Sequence, residues 1–335
     1  MLSILTVLIG LSLLIIIHEL GHFWAAKYFN ILVEEFGFGF PPRLIKKKIG
    51  ETLYSLNLLP LGGYVKLHGE FRKSEDGHPE LDPRSFIDQK AGRRAIVIVA
   101  GCLMNFLAGW LIVSSIFWIG SPTIIMIESI NKNGPAAAAG MQTGDLVKWS
   151  GEANDFINFV KNNRGRDINL NLLRDGQSLT VQIRPRIEDV SGEGPLGVTI
   201  RGGGVPRHGF LSGLMNGLLT SLSIVAAIVT GIYQIFVSPQ NIVGPVGIFN
   251  VAVGMGEMGL VYVLQLLGLI SLNLAVLNIL PIPALDGGRL LFIIIEKIRG
   301  KAFSPKTEIA ANGWGFAILI TLLLVVTFKD VANLL

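Results

Sequence analysis

An apolar run from Ile4 to Ala26 carries His18-Glu19-Leu20-Gly21-His22 in its second half. The run is long enough to cross hydrocarbon, which takes about 20 residues. Ionisable groups inside a membrane helix are costly, so three of them together constrain this chain more than any other feature. Residues four apart share one helix face at a separation of about 6 Å, so His18 and His22 can hold one metal ion between them. Glu19, beside the first, is placed to take a proton from water. HExxH on a helix is the arrangement of zinc hydrolases. The plain alternative is a polar cluster at a helix end reaching for the interface.

Half of the residues are hydrophobic and only 16% are charged, with a mean hydropathy of +0.56. That profile fits a polytopic membrane protein carrying some soluble mass. The net charge of +4 is modest and the basic residues flank apolar segments. They mark topology and give no case for a nucleic-acid partner. Cys102 is the single cysteine, so no intrachain disulfide or cysteine metal cluster can form, and it reads as a small core residue. The first apolar run has no basic stretch ahead of it and continues into HExxH, so no cleavable signal peptide is expected.

Segments 4–26, 94–119 and 312–328 read as membrane spans. A fourth, 260–283, contains Asn273 and Asn278 and ends in Pro281 and Pro283, which suits a helix facing a polar cavity. Segment 210–237 is apolar enough to span. However, Ser212, Asn216, Thr220, Ser223, Thr230 and Gln234 recur opposite its large apolar residues, as in a helix lying at the interface. Basic residues decide the count. Both 27–93 and 284–311 are rich in Lys and Arg, and both fall on the cytoplasmic side only with four spans. The N-terminus and 120–209 are then outside.

Within 27–93, the stretches 36–40 (FGFGF) and 54–67 (YSLNLLPLGGYVKL) mix strand formers with glycines. They predict β-hairpin structure, either shielded within the bilayer or on the cytoplasmic surface. Residues 122–202 are charged and strand-rich, bounded by Ser121-Pro122 and Gly202-Gly203-Gly204. Strands are expected over 124–130, 167–174 and 178–185, the last two joined at Asp175-Gly176. Residues 133–147 (NGPAAAAGMQTGDLV) resemble the turn, short helix and Gly-Asp strand opening of PDZ domains. Such domains take a peptide C-terminus by strand addition, although a spacer role for this domain stands beside binding.

A catalytic zinc takes a third protein ligand as well as water. His68 with Glu70, and His78 with Glu80 or Asp82, lie in the polar connection, and His208 falls outside. Asp286 follows the proline-broken fourth segment at the level where His22 leaves the first. Topology and ligand count favour it as the third ligand; a helix N-cap before Arg289 is its alternative role.

HELGH, FGFGF, LPLGGYVKLHG, the PDZ-like stretch and 278–292 (NILPIPALDGGRLLF) together resemble the site-2 protease family, in its bacterial regulator-of-sigma-E protease type. The resemblance implies zinc-dependent cleavage of transmembrane segments of single-span proteins, such as an anti-sigma factor or a signal-peptide remnant, in regulated intramembrane proteolysis. It implies Zn2+ held by His18, His22 and Asp286, with Glu19 as catalytic base and Asn273 and Asn278 assisting substrate or transition-state binding. Gly37, Gly39, Gly62 and Gly63 fall in stretches matching a membrane-reentrant β element that clamps an unwound substrate. The setting implied is a bacterial inner membrane, with the PDZ-like domain periplasmic and the active site towards the cytoplasm.

The expected fold is therefore a polytopic α-helical membrane protein with four spans, a reentrant β element and one inserted extracytoplasmic PDZ-like domain. Its parts are a membrane core over 1–119, the PDZ-like domain over 120–204, an interfacial helix and connection over 205–259, and a second membrane core over 260–335. Two features depart from the family: one PDZ-like domain stands where the best-known members have two, and Cys102 stands where proline is usual, which is expected to alter a kink and no chemistry. Two other functions compete with proteolysis. One is a non-enzymatic membrane-tethered PDZ adaptor, the other a metal transporter, although the halves of the chain show no internal repeat.

Overall fold

The computed structural model describes residues 2–70, 82–149, 153–174, 177–188, 194–237, 259–301 and 303–332. The chain forms two compact units, one of residues 1–113 with 217–335 and one of residues 114–216.

In the first unit, α1 (Leu2–Tyr28) is followed by two long strands, β1 (Val33–Ile49) and β2 (Thr52–Leu67), and then by α2 (Ala91–Ile119). The later helices are α5 (Phe210–Val237), which begins in the second unit, α6 (Leu260–Ile279), α7 (Asp286–Arg299) and α8 (Pro305–Ala332). By length and composition, α1, α2, α5, α6 and α8 can each cross a membrane. On α5, the Ser223 and Thr230 hydroxyls donate to the Thr220 and Ala227 carbonyls of their own helix. Those hydroxyls are satisfied internally and so make no demand for water.

Close helix contact is made by small residues. A Cβ on Gly109 would lie 2.7 Å from Leu272 Cγ, and one on Gly10 would lie 2.6 Å from Leu267 Cδ1. In a membrane, where apolar surface is not driven together by water, such close approach and its dispersion contacts hold helices to one another. Ser271, fully buried, adds a hydrogen bond from its hydroxyl to the Asn105 carbonyl at 2.7 Å.

The expected β structure is present between α1 and α2, and its pairing is richer than a simple hairpin. Residues Phe36 to Phe38 partner Gly63 to Val65 on one side and Tyr54 to Leu56 on the other. The first part of β1 is thus interior to the sheet, while the Gly63–Leu67 part of β2 is paired on one side only among the described residues.

The second unit is a five-stranded antiparallel sheet, ordered β6-β5-β4-β3-β7. Its strands are β3 (Ser121–Ile130), β4 (Leu146–Lys148), β5 (Ile168–Arg174), β6 (Gln177–Ile183) and β7 (Val198–Val205). Helices α3 (Pro135–Ala138) and α4 (Ala153–Asn162) accompany it. Alternation along β5 buries Ile168, Leu170 and Leu172 against Ile125, Ile127, Val147, Phe156 and Val160. The three expected strands are found close to their expected bounds, and Asp175-Gly176 lies outside the described residues. Gly202-Gly203-Gly204 lies inside the last part of β7, with Gly202 and Gly203 paired to Ile125 and Ile124. A glycine serves at 202 because a Cβ there would sit 2.6 Å from the Ala153 Cβ of α4.

Asp145, only 1% exposed, anchors this unit. Arg174 donates to its two oxygens, Nε to Oδ1 and Nη2 to Oδ2, both at 2.7 Å, and the Gln142 amide adds a bond at 2.8 Å. The Arg174 guanidinium holds the Asp145 carboxyl below its usual range. A depressed carboxyl stabilises the fold above its unfolded pKa of about 3.9 and loses that contribution as pH falls through the folded value. Arg174→Ala strands a buried charge and should cost about 3 kcal/mol at neutral pH. Hydrogen exchange over residues 121–205 of the full chain should show lost protection at pH 7. In the wild type the loss should come only as pH drops below about 4. Equal protection in both at neutral pH would contradict this.

Candidate metal centre

His18 and His22 project from α1 four residues apart and are 9% and 8% exposed. Asp286 comes from the opposite end of the sequence. After α6 ends at Ile279, the chain turns through Pro281 and Pro283, and α7 begins at Asp286. Gly287 and Gly288 follow because the turn is too tight for side chains; a Cβ on either would collide with the carbonyl oxygens of Ile279, Leu280 or Ile282. The N-cap of α7 is Leu285, and no side chain caps it. The Asp286 carboxylate instead faces the histidines, Oδ2 lying 3.0 Å from His18 Nε2 and 3.3 Å from His22 Nε2.

The two Nε2 atoms are 3.3 Å apart. Zinc with ligands at 2.0–2.1 Å in tetrahedral geometry separates neighbouring ligand atoms by about 3.3 Å. The three donors therefore fit one zinc ion, and the His2Asp set leaves a position open, as catalytic sites require. Among the described residues this is the one cluster of three or more His, Cys, Asp or Glu that could hold a metal.

The helix α2 forms the back of the site. Its Val97 carbonyl accepts the Nδ1 proton of His22 at 2.8 Å, which leaves Nε2 able to bind an ion. Gly21 lies against the Ala100 carbonyl and Gly101 against both imidazoles, each so closely that a Cβ would collide. Asn105, fully buried, places its amide nitrogen 3.2 Å from His18 Nδ1. Cys102 is buried within the uninterrupted helix, and its Sγ lies 3.9 Å from Asp286 Oδ2. The thiol thus touches the carboxylate of the site, where a mere change of kink was expected.

Glu19 lies within electrostatic reach of His18, His22 and Asp286. A Cβ on Gly63 would lie 2.9 Å from Glu19 Cγ, so the one-sided stretch of β2 runs directly past this carboxylate. Of the other glycines singled out, Gly37 is covered by the Tyr64 ring and its strand is paired on both sides. Gly39 adopts φ +80° and its carbonyl accepts from Asn57 Nδ2 at 2.9 Å. Gly62 adopts φ 127°, beside Gly63. Asn278 Nδ2 is 3.4 Å from His18 Nε2, whereas the side chain of Asn273, on the same helix, makes no hydrogen bond among the described residues.

The remaining polar candidates lie elsewhere. His68 is bracketed by Glu34 at 2.8 Å and Asp82 at 2.9 Å, and the hydrogen bond to Glu34 is the chief reason that its pKa is raised. Glu70 pairs with Arg289 of α7 at 2.6 Å. His78 and Glu80 lie outside the described residues. His208 belongs to the other unit, where its Nδ1 meets the Pro206 carbonyl at 2.7 Å.

Comparison with known proteins decides the family. Residues 6–322 match the sequence profile of Peptidase family M50. The chain belongs to that family. It is 30% identical over 413 residues to zinc metalloprotease RasP of Shouchella clausii, covering 96% of this chain and 97% of that one. It is 28% identical over 418 residues to the regulator of sigma-W protease RasP of Bacillus subtilis, covering 99% of each. This M50 peptidase is a multi-pass membrane metalloprotease that uses zinc, with a β domain inserted between its membrane segments. The adaptor and transporter readings fall with that membership.

The sequence alone did not disclose Val97, Gly101 or Asn105 as parts of the site, because α2 reaches it only through tertiary packing. An asparagine and two glycines inside apolar spans were the available signal.

Proposed function

We propose that this chain is an intramembrane endopeptidase that cuts transmembrane segments of single-span membrane proteins, with His18, His22 and Asp286 holding the zinc and Glu19 as the base. The observation carrying it is the meeting of three donors at zinc spacing, two on the membrane-length α1 and one at the start of α7, with Glu19 beside a strand edge paired on one side only among the described residues. The ion, when bound, supplies Lewis acidity that activates water and polarises a carbonyl. Glu19 accepts the proton of the attacking water and passes it to the leaving nitrogen.

A helical substrate hides its carbonyls in its own hydrogen bonds and must unwind before attack. The Gly63–Leu67 edge of β2 can pair with the unwound strand and replace the bonds it loses. Gly62 and Gly63 keep that edge slim beside Glu19, while Gly37 and Gly39 support the sheet from within. Asn278, at the histidines, is suited to steady the substrate carbonyl, with Asn273 further along the same helix.

Four crossings, with α5 along the interface, keep both basic connections on the cytoplasmic side. The β domain is then extracytoplasmic. Its β7 edge, next to α4, suits a PDZ-like groove for a peptide C-terminus. The relative named for sigma-W regulation favours membrane-anchored regulators as the substrate class, and we read the membrane as a bacterial inner membrane.

Asp286→Ala tests the site. It should lower zinc content in purified protein to near zero and remove cleavage with it, because two histidines alone hold zinc poorly. Full metal content in that variant would strike Asp286 from the ligands.

A further inference from the structure

We propose that Asn105 is a positioning residue of the metal centre: its side-chain carbonyl accepts the Nδ1 proton of His18 and so aims Nε2 at the ion. The inference rests on the reading of His18 as a ligand through Nε2. An imidazole that binds an ion through Nε2 carries its ring proton on Nδ1, and that proton needs an acceptor to fix the ring. For His22 the acceptor is the Val97 carbonyl at 2.8 Å. For His18 the group facing Nδ1 is the Asn105 amide, whose nitrogen lies 3.2 Å away.

Two N–H donors cannot satisfy one another. The other arm of the same amide, Oδ1, is buried and has no hydrogen-bond partner among the described residues. A half-turn of the planar group exchanges the two arms at nearly constant volume and sets the carbonyl on the Nδ1 proton. Among the described residues neither arm is held by another group, the Ser271 hydroxyl binding the backbone carbonyl of Asn105. The residue is fully buried and its backbone is pinned by that bond, so the side chain has one place to act. The two imidazoles are then held alike, each by a carbonyl on α2, spaced two turns apart at Val97 and Asn105.

The test is zinc affinity by chelator competition on the full chain in detergent, comparing wild type, Asn105→Leu, Asn105→Asp and His18→Ala. Asn105→Leu keeps the volume and loses the acceptor, and its affinity should fall about 10- to 100-fold. Asn105→Asp keeps an acceptor and should restore most of that loss. Unchanged affinity in Asn105→Leu, or an equal loss in Asn105→Asp, would overturn the proposal and leave Asn105 a packing residue. Unchanged affinity in His18→Ala would instead overturn the ligand reading beneath it.

A nitrogen-15 spectrum of zinc-loaded wild type, with labelled histidine, needs no folded variant. It should show His18 protonated at Nδ1, with that proton slow to exchange with solvent. An Nδ1 without its proton would overturn the proposal.

Discussion

Purified Glu19→Gln protein should retain its zinc and lose cleavage by about 10²- to 10⁴-fold, the range that a positioned general base contributes. The two effects separate because Glu19 is beside the ligand cluster without belonging to it; the donors that converge are His18, His22 and Asp286. Glutamine has the same shape, so it fits against Gly63, where the space around Glu19 Cγ is tight. It cannot accept a proton as a carboxylate does. A kinetic comparison at saturating substrate, paired with metal analysis of the same samples, reads both effects. Normal turnover would remove Glu19 as the base, and loss of zinc would show that its carboxylate supports the ion itself.

Gly101→Ala should be as damaging by a different route, through the metal. A methyl group at 101 would collide with the His22 ring at Nε2 and approach His18 Cε1 to 2.9 Å. Neither imidazole can withdraw freely. His22 is tied through Nδ1 to Val97, and α1 is already against the α2 backbone at Gly21. Displacing ligand atoms exceeds the disturbance of an outer-shell change, which alone costs 10- to 100-fold, so a loss of more than about 100-fold in zinc affinity is expected. Gly92→Ala is the control. It lies on the same helix, exposed, with nothing within 4 Å of the added carbon, and it should leave metal and activity intact. Equal behaviour of the two variants would mean that α2 does not confine the histidines.

What could be read in advance divides by the range of the interaction. His18, Glu19 and His22, the proposed ligands and base, sit within five residues on one helix, so helical periodicity alone brings them together. The turn at Pro281–Gly288 was legible as a broken helix, and Asp286 followed from the need for a third donor. The fit of its Oδ2 to both histidines could only come from the structure. The strands of both units followed from runs of strand-forming residues and from turn residues. However, the double-sided pairing of Phe36 to Phe38 depends on how β1 and β2 bend back, which no local pattern reports.

Other misreadings have physical reasons too. Three successive glycines look like the edge of a domain, yet Gly202 is needed within β7 because Ala153 covers it. The helix α4 was not anticipated, although Phe156 and Val160, four apart and both buried, were its periodic signal. Cys102 looked inert because an apolar neighbourhood in sequence hides the carboxylate that α7 brings to its thiol.

Mapping the cut site by mass spectrometry tests the central claim most directly. The substrate would be a single-span protein in detergent, incubated with wild type, with Glu19→Gln and with wild type plus a zinc chelator. The account predicts a cut within the substrate's apolar segment in the wild-type sample alone. A cut confined to the flanking soluble sequence, or one persisting with chelator or in Glu19→Gln, would contradict it.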